Sequence, residues 1–402
     1  MLDLTKLARQ MQGISDHLSQ EAEAAQQRIK IAQNLMRLAT DTEGNLATEL
    51  NDYRDRLIFT AAEPIEPLNT RISIKTAAET HTVISSDGSQ ISPSHHEIAY
   101  CYLLNISRIV IHYGQSRYPL LDSLPEVIYR PEDLYASRKW GIRTEEWMGY
   151  KRTAAEAVML GELGLDIAQP TSSHEQSPSH RIPTLAMTDG SLIYWFLEQI
   201  PAKARDQILL PILEAWERLR TANVPVMGYI SASRSGEALN FLRLQACPYE
   251  EPDCQSHCED SREKTPCNAF SPLRDVTLWA TALAPGERGP LWKSSADILS
   301  CYGEHSIYFC YVHVGAEVAR VEFPQWVVED SELLNSALSL MLAQVQKGFG
   351  YPVALAEAHN QAVVRGGDRT RFFTLLEQQM IRAGLKNVGT SFKEARKRGS
   401  IA

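Results

Sequence analysis

The 402-residue sequence contains no long hydrophobic run and no excess of positive charge. No apolar stretch approaches the roughly 18–20 residues that a membrane-spanning helix needs. The first residues, Met-Leu-Asp-Leu, lack the basic and then apolar order of a secretion signal. These absences predict a cytoplasmic protein that makes no contact with a membrane.

The chain carries 40 Lys and Arg residues against 49 Asp and Glu residues, a formal net charge of −9. A strongly basic chain would indicate nucleic acid as a partner, and this chain is not basic. Net charge is a weak guide, however, where a site gathers carboxylates that a bound metal ion neutralises. One basic cluster is compatible with either a solvated face or contacts to phosphates; its members are Arg138, Lys139, Arg143, Lys151 and Arg152.

A short phrase occurs twice: residues 83–91 read Val-Ile-Ser-Ser-Asp-Gly-Ser-Gln-Ile, and residues 185–193 read Leu-Ala-Met-Thr-Asp-Gly-Ser-Leu-Ile. An apolar run that ends in Asp-Gly-Ser is typical of a buried strand with a carboxylate at its tip, although Asp-Gly-Ser alone also forms ordinary turns. If the two strands lie side by side, Asp87 and Asp189 meet. Neighbouring carboxylates repel each other unless a divalent cation neutralises them. The repeat therefore favours a metal-dependent enzyme.

A third carboxylate is expected from the helix predicted over residues 144–166. Its apolar face leaves Glu156 at one flank and Glu162 at the other, so the pattern does not choose between them. Arg152 lies one turn before Glu156, and a surface ion pair is the alternative interpretation of that glutamate.

A second helix, predicted to begin at Pro352, carries His359 among apolar positions. A histidine in such a stripe is either a core residue or a metal ligand or proton relay. Tyr351 directly precedes this helix and could reach the same region.

These motifs, in order, resemble the NurA nuclease family over roughly residues 80–365. The matching segments are the two Asp-Gly-Ser strands, Gly228-Tyr229-Ile230-Ser231, Arg320-Val321-Glu322-Phe323-Pro324, Gly350-Tyr351-Pro352 and Ala358-His359. The resemblance implies an α/β fold with an RNase H-like mixed sheet flanked by helices. It also implies a manganese-dependent 5′–3′ exonuclease, with single-strand endonuclease activity as an addition. Such proteins work as homodimers with the hexameric HerA ATPase in resecting DNA double-strand breaks.

Carried over residue by residue, the resemblance assigns Asp87 and Asp189 as metal ligands, and Tyr351 and His359 as the C-terminal pair of the site. Glu156 is the helix glutamate that we select. The implied cofactor is Mn²⁺, with two ions expected and Mg²⁺ as an alternative. A non-catalytic adaptor that docks a DNA-translocating ATPase is the competing interpretation.

We expect an N-terminal helical arm over residues 1–62 and a nuclease domain over 63–402, with a cysteine-containing insertion at 244–270. Four of the seven cysteines lie in that insertion, with six, three and eight residues between them: Cys247, Cys254, Cys258 and Cys267. Such clustering indicates a zinc or iron–sulfur site, with unbound thiols as the alternative and His257 as an additional ligand.

Overall fold

The computed structural model describes residues 3–93, 100–168, 182–258 and 265–384. The strands are β1 Glu63–Pro64, β2 Ile72–Ser73, β3 His81–Ser85, β4 Gly88–Ile91, β5 Tyr102–Tyr113, β6 Leu120–Ile128, β7 Thr184–Asp189, β8 Val226–Ile230, β9 Glu287–Arg288, β10 Trp292–Lys293, β11 Ile307–His313 and β12 Val318–Pro324. The helices are α1 Leu4–Gln10, α2 Ile14–Tyr53, α3 Pro131–Leu134, α4 Thr144–Ala168, α5 Ala202–Thr221, α6 Glu237–Gln245, α7 Cys254–His257, α8 Asp275–Trp279, α9 Gln325–Glu329, α10 Ser331–Lys347, α11 Val353–Ala362 and α12 Gly366–Arg382. Within these ranges, no helix is both long and apolar enough to cross a membrane.

The chain divides into two compact units. Unit 1 comprises residues 1–74, 229–300 and 306–322, and unit 2 comprises residues 75–228, 301–305 and 323–402. The sequence-based division at residue 62 stays a prediction. The compact units follow spatial contacts instead, so that segments distant in the chain share one core.

The N-terminal region of unit 1 is dominated by one 40-residue helix, α2. Ala32, Ala39 and Leu46 follow each other at intervals of seven, and all three are buried. They belong to the same apolar cluster as Leu239 and Phe241 of α6. The later half of α2 is therefore part of the unit 1 core, because its apolar stripe is covered by another helix.

The sheet of unit 2 is built around β3, whose five residues are all buried. β3 pairs in parallel with β7 on one side and antiparallel with β5 on the other, so the sheet is mixed. The parallel register joins Thr82 to Thr184 and Ser85 to Met187. Continued two residues beyond this last pair, the same register brings Asp87 opposite Asp189. The expected pairing of the two repeated phrases is confirmed.

The segment that carries Asp87 interrupts an otherwise continuous edge. β3 and β4 both pair with the long strand β5, and Asp87 lies in the short break between them. Ser107 of β5 bridges this break: its Oγ accepts from the Asp87 amide at 2.9 Å, and its own amide donates to the Asp87 carbonyl at 2.8 Å. Ser107 thus holds the backbone of Asp87 against β5 across the break, and β4 continues beyond it in the same direction and register as β3.

Helix α4 packs closely against α5 at two glycines. A Cβ atom on Gly161 would lie 3.0 Å from the Ala215 Cβ and 3.1 Å from its backbone, and one on Gly164 would lie 2.2 Å from the Leu219 side chain. The helices approach this closely because neither glycine has a side chain. This contact fixes the position of α4 in unit 2.

Replacing Gly161 with alanine should therefore destabilise the protein, even though alanine favours the helix. We expect a loss of about 1–3 kcal/mol in the free energy of unfolding, because the backbone of α5 must move to admit the methyl group. Urea unfolding followed by circular dichroism measures the change.

Gly149→Ala is the matched control for this variant. It lies in the same helix with nothing near its Cβ position, so it should stabilise by up to about 1 kcal/mol. Equal stabilisation by both substitutions would contradict the tight contact between α4 and α5.

Candidate active site

Asp87 is the central carboxylate of the candidate site. Its Oδ1 accepts a hydrogen bond from the Gly88 amide at 2.7 Å. Its Oδ2 lies 3.2 Å from the Nδ1 of His359. One oxygen is therefore fixed by the turn, and the other faces a histidine more than 250 residues away in the chain.

Glu156 reaches Asp87 from helix α4, and its side chain is only 19 % exposed. Burial raises the pKa of Glu156 to about 8; the charge of Arg152 opposes this rise, and the charges of Asp87 and Asp189 add to it. A Cβ on Gly88 would lie 2.6 Å from the Glu156 Oε1. The glycine after Asp87 is thus required for the glutamate to approach the strand tip.

Asp189 ends β7 and is the third carboxylate of the group. Burial raises its pKa, and the charge of Asp87 raises it further, while a hydrogen bond from Tyr351 and the charge of His359 act in the opposite direction. Tyr351 follows a tight turn at the end of α10, where Gly350 has a φ of 120°. The turn directs the tyrosine hydroxyl to the tip of β7.

His359 lies on α11 with 66 % of its side chain exposed. This exposure excludes the alternative that it is a core histidine. Helix α11 is tied to the sheet by its last residue, Ala362, whose carbonyl accepts from the Ser89 Oγ and, at 2.8 Å, from the Asn105 Nδ2. The histidine is consequently held beside Asp87 by hydrogen bonds next to the same strand tip.

The structure thus brings Asp87, Glu156, Asp189, Tyr351 and His359 together in unit 2. The other glutamate that the helix pattern allowed, Glu162, is exposed, and its charge acts on Arg108 instead. The rotation of α4 about its axis turns Glu156 toward β4 and leaves Glu162 in solvent.

Sequence analysis missed two supporting residues of the site. Gly88 admits Glu156, and Ser107 bridges the strand break at Asp87. The glycine was visible in the repeated Asp-Gly-Ser phrase, where it was interpreted only as a turn residue. The serine had no signal, because its role depends on strand pairing.

The donor set of this cluster fits a divalent cation. The Glu156 Oε1 is buried and makes no hydrogen bond, although the Arg152 Nε lies 3.2 Å from it. Carboxylate oxygens are the ligands that Mn²⁺ and Mg²⁺ prefer. Among the described residues, no group of three or more His, Cys, Asp or Glu side chains is already arranged as a metal site. The fit therefore rests on the unpaired oxygen and on the type of the donors.

The predicted cysteine cluster lies in unit 1, and three of its four members are buried: Cys254, Cys258 and Cys267. Cys247 is half-buried, and none of the four forms a disulfide. Residues 259–264 of the expected insertion lie outside the described part of the chain.

The fold and the site define an α/β protein with a carboxylate cluster at the ends of two parallel strands. The family model described as NurA domain matches residues 81–364, which is most of the chain. The chain belongs to the NurA family.

Two solved structures are similar to the chain. The NurA nuclease from Sulfolobus solfataricus is 12 % identical, with a TM-score of 0.52 over 96 % of this chain and 99 % of its own. A second structure, NurA with manganese, is 10 % identical, with a TM-score of 0.35 over 89 % of this chain and 98 % of its own. The first likeness shows a shared fold. No curated protein matches the sequence.

The raised pKa of Glu156 predicts a pH-dependent stability in the absence of metal. In the fold its pKa is about 8 against an ordinary 4.5, so folding takes up a proton between these values. Stability should fall as the pH rises through this window and level off above it. The glutamine of Glu156→Gln stays neutral at every pH, so this variant should lose much less stability over the same pH range. The melting temperature in EDTA between about pH 5 and pH 9 measures this.

The control is Glu162→Gln, which removes an exposed carboxylate from the same helix and should retain the decline of the unmodified protein. If Glu156→Gln declines as steeply as the unmodified protein, the buried glutamate is not the group that titrates.

Proposed function

We propose that the protein is a metal-dependent DNA nuclease that hydrolyses phosphodiester bonds. The observation that carries this proposal is the convergence of Asp87, Glu156 and Asp189 from three separate segments of unit 2. Two of these carboxyl groups have raised pKa values, and the Glu156 Oε1 is buried without a hydrogen bond. Arg152 offsets only part of the charge of the three neighbouring carboxyl groups, and a divalent cation would neutralise the rest.

Asp87, Glu156 and Asp189 would hold Mn²⁺, with two ions proposed and Mg²⁺ as an alternative. His359 would complete one ligand set or accept a proton. When bound, such ions activate water and stabilise the leaving oxygen of a phosphodiester. The oxygen-rich donor set supports this choice, since hard cations prefer carboxylates.

Two further residues of the site would orient the carboxylates and move protons. Tyr351 donates a hydrogen bond to Asp189, which holds this carboxylate in one direction. At this position the tyrosine would contact the scissile phosphate or the attacking water. His359 is exposed, and its Nδ1 lies 3.2 Å from the Asp87 Oδ2, so its ring stands between the solvent and the central carboxylate as the candidate proton relay.

Positive charge on the same unit supports a polyanionic substrate despite the net charge of −9. Lys151 and Arg152 lie one turn before Glu156 on α4. Arg138 lies over the Tyr135 ring at 3.9 Å, and Lys139 lies over the Trp140 ring at 4.2 Å. Cations combined with aromatic rings are the groups that hold a nucleic acid backbone and its bases.

Further properties are proposed from family membership. These are 5′–3′ exonuclease activity with added single-strand endonuclease activity, a role in resecting DNA double-strand breaks, a HerA-type hexameric ATPase as partner, a homodimeric state and a cytoplasmic location. We also propose that the sheet is RNase H-like. The order β6-β5-β3-β7-β8, with β3 antiparallel to β5 and parallel to β7, supports this assignment.

A second candidate function is a non-catalytic adaptor that docks an ATPase. The early part of the N-terminal region favours it, because Leu4, Met11, Ile14 and Leu18 are exposed apolar side chains on or between α1 and α2. Intact carboxylates at both strand tips favour the nuclease.

Incubating end-labelled single- and double-stranded DNA with the protein and Mn²⁺ tests the proposal. The unmodified chain should degrade DNA, and EDTA should stop it. Asp87→Asn and Asp189→Asn should each lower the rate on the order of a thousandfold, because a bound metal contributes several kcal/mol to the transition state.

Asp166→Asn is the control: it removes an exposed carboxylate of α4 and should retain full activity. An unmodified protein that degrades no DNA with Mn²⁺ or Mg²⁺, yet binds a HerA-type ATPase, would establish the adaptor instead.

A further inference from the structure

Four cysteines of unit 1 surround one cavity of about 170 Å³. This is several times the roughly 30 Å³ that one water molecule occupies in the liquid. Apart from the cysteines, much of its wall is apolar and is formed by Leu57, Phe59, Leu244, Pro248, Pro252 and Pro266. The cavity therefore has a mainly apolar wall, and all four cysteines contribute to it.

Local structure aims these sulfurs at one another. Asp253 caps the short helix α7 by accepting from the amides of Gln255 and Ser256. The spacing of four then places Cys254 and Cys258 on one face of this turn, where the Cys258 thiol hydrogen-bonds with Cys254. Cys267 reaches the cavity from a separate turn that follows Pro266.

Arg243 is a half-buried cation at this cavity, and no carboxylate among the described residues forms an ion pair with it. Its guanidinium stacks over Phe59 at 3.8 Å, and its terminal nitrogen lies 3.8 Å from the Cys267 Sγ. Its Nε is buried with no hydrogen-bond partner. A permanent cation beside four neutral thiols is unfavourable, whereas a cation beside thiolates that ligate a metal is stabilising.

We propose that Cys247, Cys254, Cys258 and Cys267 ligate an iron–sulfur cluster of the four-iron type. A single zinc ion would need all four sulfurs at about 2.3 Å from one point. The cavity that the four cysteines line has room for a polynuclear cluster, in which each sulfur ligates its own iron. His257 stacks on Tyr249 with ring centroids 4.1 Å apart, and the four cysteines provide the full ligand set without it.

The metal content of the full chain, expressed and purified without oxygen, tests the proposal. We expect about four iron atoms and four acid-labile sulfides per chain, with a brown colour that bleaches in air. One zinc ion per chain without iron would overturn the cluster in favour of a single-ion site, and the absence of both metals would overturn the site altogether.

Cys258→Ser should lower the iron content at least severalfold, and the matched control Cys301→Ser, which lies outside the cavity, should retain it. Iron retained in full by Cys258→Ser would contradict the ligand assignment. The measurement on the unmodified chain decides the proposal even if a variant fails to fold.

Phe349 carries a second, independent inference. It lies in the turn between α10 and α11 with a φ of 55°, in the left-handed region that disfavours bulky residues, and its side chain is 99 % exposed. A Cβ on Gly348 would lie 1.9 Å from the Tyr351 carbonyl, so the chain reverses sharply here. The turn thus presents an aromatic ring to solvent two residues before a residue of the candidate active site.

The exposed ring contributes almost no packing to the fold, so both of its faces are accessible to a bound molecule. Because Tyr351 bonds Asp189, the turn is anchored at the carboxylate cluster. We propose that Phe349 stacks on a nucleobase of the strand being cleaved; this inference rests on the proposed nuclease function. An aromatic ring accepts any base, since every base has a π-face.

Cleavage of oligonucleotides that carry a single abasic nucleotide, scanned along the strand, tests this stacking. At one position the missing base should slow the unmodified protein about tenfold, the size expected for one stacked base. Phe349→Ala should lose this dependence, and Phe349→Trp should keep it. Tyr118→Ala, which removes another exposed aromatic residue, is the control and should also keep it.

A dependence on the base that persists in Phe349→Ala would overturn the stacking role alone. Absence of any DNA cleavage by the unmodified protein would instead contradict the nuclease function on which it rests.

Discussion

The parallel pairing of β3 with β7 brings two aspartates to the same edge of a mixed sheet, and the candidate site depends on it. Asp87 and Asp189 occupy matching positions of this register, and α4 adds Glu156. Burial raises the pKa values of Glu156 and Asp189, and repulsion by the charge of Asp87 adds to both. The fold of unit 2 therefore holds an arrangement that is unfavourable by itself and that a cation would relieve.

Positions without side chains make this convergence sterically feasible. Gly88 lets the glutamate approach the strand tip, while Gly161 lets α4 approach α5. Hydrogen bonds then hold the neighbouring segments in place: Ser107 binds the backbone at Asp87, and Asn105 binds the end of α11. Rigid elements thus position the carboxylates, and this is the requirement for a site whose groups must stay within coordinating reach of one ion.

The two units offer different donor chemistry. Unit 2 gathers carboxylate oxygens, which suit hard cations such as Mn²⁺ and Mg²⁺, while unit 1 gathers cysteine sulfurs, which suit zinc and iron–sulfur clusters. An arginine lies beside each set of donors: Arg243 beside the sulfurs, and Arg152 beside Glu156. The arginine at the sulfurs would stabilise the proposed anionic centre, whereas the arginine at the glutamate compensates only part of the carboxylate charge.

Local pattern was sufficient for much of the fold and for part of the site. Apolar periodicity and end signals predicted the helix at 144–166 and the helix that begins at Pro352, which the structure has as α4 and α11. The duplicated Asp-Gly-Ser phrase predicted the paired strands, because a strand and its turn are encoded by adjacent residues. The order of the motifs along the chain also led to the NurA family, to which the chain belongs.

Tertiary structure alone decided what depends on contacts between distant residues. The helix pattern allowed both Glu156 and Glu162, and only the rotation of α4 against the sheet selected Glu156. His359 lies among apolar positions in the sequence but is exposed beside Asp87, because the carbonyl of Ala362 binds Ser89, 273 residues earlier. Residue order specifies each element and its apolar face, whereas the packing of one element on another sets which of its polar side chains reach the site.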